Sequence, residues 1–179
     1  VIRLGTMFSG IGAIEHAFQR LKLNTEIVFA GDIDANCKKS YFANYDIREE
    51  DWFTDAREFD ATKYKGKVDI IVGGAPCQAF SMVGRRLGFE DARGTLFYEF
   101  ARVIKETKPK VFIFENVKGL TNHDGGRTWQ VMQDIFNDLS YDLHYRVLNS
   151  KDYGIPQHRE RLFCIGFSRP TKFAFPAPI

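Results

Sequence analysis

The chain has little cysteine, almost no excess charge and no long apolar run, and each shortage removes a class of protein. Its three cysteines, Cys37, Cys77 and Cys164, are odd in number and form no CxxC pair. That argues against a disulfide framework and against a zinc site, so no metal is expected and the setting reads as reducing and intracellular. No segment approaches the roughly 20 consecutive apolar residues that cross a bilayer, so neither a membrane partner nor secretion is expected. The formal net charge is only +2, from 25 Lys and Arg against 23 Asp and Glu. A protein that grips duplex nucleic acid normally carries a stronger positive surface, so any such grip here is local or shared. Proline is sparse, and three of the six prolines fall in the tail Arg169 to Ile179, which reads as the start of a linker. What remains is an ordinary globular composition, 44% hydrophobic and 27% charged over 179 residues. A chain of this length suits one domain, burying roughly 70% of the surface that its unfolded form exposes.

Short apolar runs alternate with helical periodicity, which predicts an α/β fold with a mostly parallel sheet. Val1 to Phe8 reads as a strand, and Ile27 to Ala30 as the next. Between them Ile14, Ala17, Phe18 and Leu21 recur at three- and four-residue spacing, predicting a helix from about Ile11 to Leu23 with one buried face. Further helices are expected over Asp34 to Asn44, over Thr95 to Thr107, where Pro109 stops it, and over Arg127 to Leu139. Val68 to Val72 and Val111 to Phe114 read as strands. A closing pair, Asp142 to Asn149 and Arg161 to Phe167, is joined through the Gly154-Ile155-Pro156 turn.

Chemistry-bearing residues gather where these strands end. Gly73-Gly74-Ala75-Pro76-Cys77-Gln78 puts a thiol in a Gly/Pro-rich turn after one strand, and Glu115-Asn116-Val117 puts a carboxylate after another. In an open parallel sheet, ligands bind outside the carboxyl ends of the strands, so both groups face one cleft. Cys77 also reads as a small buried hydrophobe, and Glu115 as the ion-pair partner of an arginine. The first loop, Phe8-Ser9-Gly10-Ile11-Gly12, brings flexible backbone and a helix N-terminus together, as nucleotide sites do. It lacks the third glycine of GxGxxG, that position being Glu15. Asp32 follows the second strand, about 20 residues after Gly12, the spacing at which an acid accepts hydrogen bonds from ribose hydroxyls. The alternative is that Asp32 or Asp34 caps the next helix.

The order of these motifs resembles the cytosine-5 DNA methyltransferases, and in particular the compact bacterial modification enzymes of restriction-modification systems. Phe8-Ser9-Gly10-Ile11-Gly12 is similar to that family's cofactor loop, with Ser9 where alanine is frequent. Pro76-Cys77-Gln78, Glu115-Asn116-Val117 and Gln157-His158-Arg159-Glu160-Arg161 resemble its catalytic motifs, in the same order. The resemblance implies a Rossmann-like, S-adenosylmethionine-dependent methyltransferase fold, a mostly parallel twisted sheet with helices on both faces. It implies that Cys77 adds to C6 of a flipped-out cytosine and that Glu115 hydrogen-bonds the N3 and N4 edge. C5, made nucleophilic, then takes the methyl group and leaves S-adenosylhomocysteine. Arg161 contacts the base O2, and Arg159 orients the site or meets a phosphate; each also reads as a salt-bridge partner.

For the cofactor, the resemblance places Phe8 and Ile33 against the adenine and Asp32 on the ribose, with Ser9, Gly10, Ile11 and Gly12 forming the loop. Asp55 lies near the adenine amino group, with Asp51 competing for that place, and Gly74, Pro76 and Leu96 surround the methionine end. Ser81, Arg85, Arg86 and Arg93 are the candidates for contacts to duplex DNA, on a loop from Arg85 to Thr95 that resembles the family's closing loop. Residues 1–168 then form the catalytic, cofactor-binding domain, cytoplasmic and nucleoid-associated in a bacterium. The family's target-recognition domain and late cofactor-pocket segment have no counterpart before Ile179. The chain is thus the catalytic portion of a longer protein, or one subunit of a split enzyme whose second polypeptide carries target recognition, or a protein that has lost the remainder. Two rival functions share the motifs: an RNA (tRNA) cytosine-5 methyltransferase, and an inactive fragment that binds cofactor or a partner.

Overall fold

The computed structural model describes residues 1–76 and 95–179. Seven strands form the sheet: β1 (Ile2–Met7), β2 (Thr25–Gly31), β3 (Trp52–Phe53), β4 (Ile70–Gly73), β5 (Val111–Val117), β6 (Asp142–Asn149) and β7 (Glu160–Phe167). Among the described residues four α-helices connect them: α1 (Ala13–Arg20), α2 (Ala35–Asn44), α3 (Leu96–Thr107) and α4 (Arg127–Asp138). The strand order is β3-β2-β1-β4-β5-β7-β6. The first five are parallel neighbours, whereas β7 inserts antiparallel between β5 and β6. The chain runs outward from β1 to β3 and then returns to lay β4 on the other side of β1. That reversal makes a topological switch point between β1 and β4, where a ligand crevice is expected at the carboxyl edge.

Local signals set most of these boundaries. The Asp34 side chain accepts from the Asn36 amide at 2.8 Å and caps α2, and Thr95 Oγ1 accepts from the Tyr98 amide at 3.0 Å and caps α3. Helix α3 stops at Lys108, in left-handed conformation with φ 53°, just before Pro109. Three expectations are corrected. Strand β3 lies in a segment for which no element is expected, because two residues hydrogen-bonded to the edge of β2 carry no periodicity. Glu115, Asn116 and Val117 belong to β5 itself, held in register by Phe163, Leu162 and Arg161 of β7. Helix α1 begins only at Ala13, and its one buried residue is Glu15, while Leu21 is 69% exposed. Its first turn packs through polar groups, which a hydrophobic period does not register.

Alternating residues divide the two faces. Met7, Phe29, Ile71, Phe112, Phe114, Leu162 and Cys164 face the main core, closed by Phe97, Phe100 and Ile104 of α3 and by Met132 and Phe136 of α4. On the opposite face Ala30 packs with Tyr41 of α2 and with Trp52. Cys164 is fully buried, and burial pushes its thiol up to about 12, so it is inert core filling. No helix among the described residues is long and apolar enough to cross a membrane. Residues 169–179 have no regular structure and run beside β6: the Thr171 amide donates to Asp142 Oδ2 at 3.0 Å, and the Ile179 amide to the Asp152 carbonyl at 2.9 Å.

At the amino edge, Asp69 ties three strands together. It accepts from the Arg3 amide at 3.0 Å and from Arg3 Nε at 2.9 Å, and Lys110 Nζ lies 2.9 Å away. The Arg3 hydrogen bond, with Lys110 beside it, holds the Asp69 carboxyl far below its ordinary value. A carboxyl depressed on folding stabilises the fold above its unfolded value of about 3.9 and loses that contribution as pH falls further. Urea midpoints are therefore expected to fall as pH drops below about 4, and to fall less in Asp69→Asn. Equal slopes for the two proteins would show that Asp69 is not part of the acid response.

Candidate active site

The loop after β1 is built from left-handed backbone, with φ 55° at Phe8, 55° at Gly10 and 90° at Gly12. Gly10 and Gly12 suit those angles because they lack a Cβ. Ser9 anchors the loop to β2: its amide donates to the Gly31 carbonyl at 2.9 Å, and its Oγ accepts from the Gly31 amide at 3.0 Å. Asp32, just beyond β2, accepts from the Gly10 amide at 2.9 Å and from the Asp34 amide at 3.0 Å. Asp34 is thus the helix cap and Asp32 faces the loop, which separates the two sequence readings. Among the described residues a Cβ on Gly10 would meet nothing within 4 Å, leaving open space above the loop, and Ile11 and Ile33 flank it at 64% and 69% exposure. Phe8 is half-buried against the main core.

Gly12 is crowded where Gly10 is open. A Cβ there would lie 2.1 Å from the Tyr45 ring, whose hydroxyl donates to the Gly12 carbonyl at 2.7 Å. Gly12→Ala is expected to lower stability by about 1–3 kcal/mol through left-handed strain and displacement of Tyr45. A thermal melt matching the parent protein would show that the loop relaxes freely.

The two acids competing after α2 also separate. Asp51 is buried before β3, accepting from Tyr64 Oη at 2.7 Å and from Arg48 Nε at 2.7 Å. Asp55 lies beyond the carboxyl end of β3, on the same edge as Asp32, and accepts from Arg57, which holds its carboxyl below the usual range.

The second cluster joins β4, β5 and β7. A Cβ on Gly74 would lie 2.7 Å from Glu115 Oε2, so only glycine lets this carboxylate sit over the turn after β4. Arg161 Nε lies 3.1 Å from Glu115 Oε1, with both side chains partly exposed. Antiparallel pairing sets this contact, because Val117 faces Arg161 and Glu115 faces Phe163 across the two strands. Asn116 points to the other side and is buried, its Nδ2 donating to the Ala75 carbonyl at 2.9 Å. It pins the backbone directly before Pro76, which is exposed. The sequence reading gave Asn116 no role; the available signal was an amide side chain ending an apolar strand, where burial demands a partner.

Arg159 is exposed, and its backbone is held by Asn149 and Ser150. Leu96 opens α3, half-buried against the core. Cys77, Ser81, Arg85, Arg86 and Arg93 lie outside the described residues. Among the described residues, no three His, Cys, Asp or Glu side chains are grouped to hold a metal ion.

The glycine loop, Asp32, Asp55, Gly74 and Glu115 all meet the carboxyl edge of one sheet, and that sheet with its helices has the α/β fold of the S-adenosylmethionine-dependent methyltransferases. The chain matches the family described as C-5 cytosine-specific DNA methylase over residues 2–178, and it belongs to that family. It is 45% identical over 165 residues to the orphan methyltransferase M.SPRI of Bacillus phage SPR, covering 92% of this chain and 37% of that protein. It is 39% identical over 180 residues to the type II methyltransferase M.HhaI of Haemophilus parahaemolyticus, covering 99% of this chain and 53% of that one. The chain thus spans about half or less of these relatives' length. The crystal structure of S. pombe Dnmt2 methyltransferase shares the fold, with a TM-score of 0.77 at 20% identity over 97% of this chain and 53% of that one.

Proposed function

We propose that this chain carries the catalytic centre of an enzyme that moves a methyl group from S-adenosylmethionine to C5 of cytosine in DNA. The observation that carries the reading is the Glu115–Arg161 pair, 3.1 Å apart over Gly74, at the mouth of the turn leading to Pro76-Cys77. When bound, the cofactor supplies an electrophilic methyl on a sulfonium. The open space over Gly10 and the acceptor oxygens of Asp32 fit such a group: one Asp32 oxygen holds the loop, and lone pairs remain for ribose hydroxyls. Phe8, Ile11 and Ile33 offer apolar surface to the adenine, Asp55 an acceptor for its amino group, and Gly74, Pro76 and Leu96 line the methionine end.

Cytosine C5 is a poor nucleophile, and the residues of the chain correct that. The Cys77 thiolate forms a bond to C6 of a base swung out of the helix. Glu115, which must carry a proton when the base is bound, donates it to N3, so the electron pair released from the C5–C6 double bond makes C5 enamine-like. Arg161 holds the base O2 and, through Glu115, the carboxyl orientation. After methylation a base takes the C5 proton, and the returning electron pair expels Cys77 from C6. Arg159 meets a phosphate near the same edge, and Ser81, Arg85, Arg86 and Arg93 contact the DNA strand. Residues 1–168 form this catalytic unit, and target recognition resides in further polypeptide, joined to it or separate.

Duplex DNA with 5-fluorocytosine tests the reading, since fluorine at C5 blocks the last elimination. A covalent protein–DNA adduct that requires S-adenosylmethionine and vanishes in Cys77→Ser is the expected result. An adduct formed on 5-fluorocytosine-substituted tRNA and not on duplex DNA would move the substrate to RNA. Cofactor binding without an adduct on either would reduce this chain to a cofactor-binding fragment.

A further inference from the structure

Glu15 stands where a third glycine would complete the loop pattern, and it is 3% exposed. Its Oε1 accepts from Thr6 Oγ1 at 2.6 Å and from Tyr41 Oη at 2.6 Å. Thr6 Oγ1 lies 2.8 Å from Ser9 Oγ, which accepts from the Gly31 amide. Each hydroxyl has one proton and a carboxylate has none, so the order of donation is determined. Burial, and then the charge of Glu15, push the Tyr41 phenol far above its usual range, so it remains a donor. Tyr41 and Thr6 both give their protons to Glu15. Thr6 therefore accepts from Ser9, and Ser9 from Gly31. One directed chain joins β2, the glycine loop, β1, α1 and α2.

We propose that Glu15 is a positioning residue for the cofactor loop, acting as the terminal acceptor that orders these hydroxyls and holds Ser9 against β2. Ser9 in turn fixes the rest of the loop, since its carbonyl accepts from the Gly12 amide at 3.0 Å. Stability alone does not account for this acid. Among the described residues no donor reaches its second oxygen, which is also buried, and a half-satisfied buried carboxylate lowers stability relative to an apolar residue of similar volume. Its benefit is orientation: remove the acceptor and two buried hydroxyls lose their partner, while Ser9 Oγ is free to turn from the Gly31 amide. The link from loop order to cofactor affinity rests on the function proposed above.

The test uses the whole chain, with two readouts taken well below each variant's melting temperature. Amide hydrogen exchange at Ser9, Gly10 and Gly12 reports the loop without ligand, and calorimetry with S-adenosylhomocysteine reports the site. Glu15→Leu keeps the volume and removes the acceptor. It is expected to speed exchange at the three amides and to weaken binding by about tenfold or more. Glu15→Gln keeps an acceptor oxygen and is expected to restore both readouts to within about threefold of the parent. Thr6→Val cuts the chain midway and is expected to release the loop as Glu15→Leu does, which decides the matter if the leucine variant fails to fold. A lower melting temperature with unchanged loop exchange in Glu15→Leu or Thr6→Val would make the network purely structural and overturn the proposal. A parent protein that fails to bind S-adenosylhomocysteine would overturn the cofactor reading, while the exchange measurements still decide the role of Glu15.

Discussion

Glu115→Gln is expected to lower kcat by about two to four orders of magnitude, with cofactor affinity within about twofold of the parent. The amide nearly matches the carboxyl in shape but has no acidic proton for N3, so charge developing in the ring goes uncompensated. Its position also depends on Arg161, whose Nε is 3.1 Å from Glu115 Oε1. Both side chains are partly exposed, so the lost ion pair contributes at most about 1 kcal/mol to stability. The thermal melt is therefore expected to move little while turnover collapses, and that contrast separates a chemical role from a structural one. Methyl transfer from labelled S-adenosylmethionine is the measurement, in whichever preparation forms the 5-fluorocytosine adduct. Turnover above one-tenth of the parent would show that Glu115 is not the group that compensates the ring, and the mechanism above would need another acid.

Phe136→Ala is expected to have the largest effect on stability, about 3–5 kcal/mol, out of a total of about 5–15 for a domain. Phe136 is fully buried on α4 and meets four other phenylalanines, with ring centroids at 4.5 Å for Phe112, 5.2 Å for Phe97, 5.8 Å for Phe114 and 6.3 Å for Phe100. Alanine leaves a cavity that helix and sheet close only in part. Phe112 and Phe114 belong to β5, the strand that carries Glu115, so the loosening reaches the site. Urea unfolding followed by circular dichroism measures it. A loss under about 1 kcal/mol would show that the aromatic cluster repacks, and that the main core does not hold β5 in place as described.

Much of the site is legible in the sequence where short-range signals act. Gly10 and Gly12 mark the loop because few other residues adopt its backbone, and the spacing to Asp32 follows from one strand-helix-strand unit of ordinary length. Asp34 and Thr95 announce their helices because a cap hydrogen bond spans only two or three residues. Strand β3 is not legible, since two residues on a sheet edge have no period to detect. Glu15 reads only as a missing glycine: a polar contact beneath a helix depends on Thr6 and Tyr41, neither of which marks itself as its partner.

The sequence by itself determined the family, the kinds of chemical group and the strand ends at which they lie, because backbone preference and apolar period are local properties of the chain. The tertiary structure decided which groups meet. Arg161 reaches Glu115 because β7 runs antiparallel beside β5, Asn116 grips Ala75 because β4 and β5 share a register, and Asp55 lies past the carboxyl end of β3 while Asp51 precedes that strand because β3 lies parallel to β2. Each outcome depends on strand pairing between distant segments, and pairing is selected by the packed core as a whole, which no single stretch of sequence records.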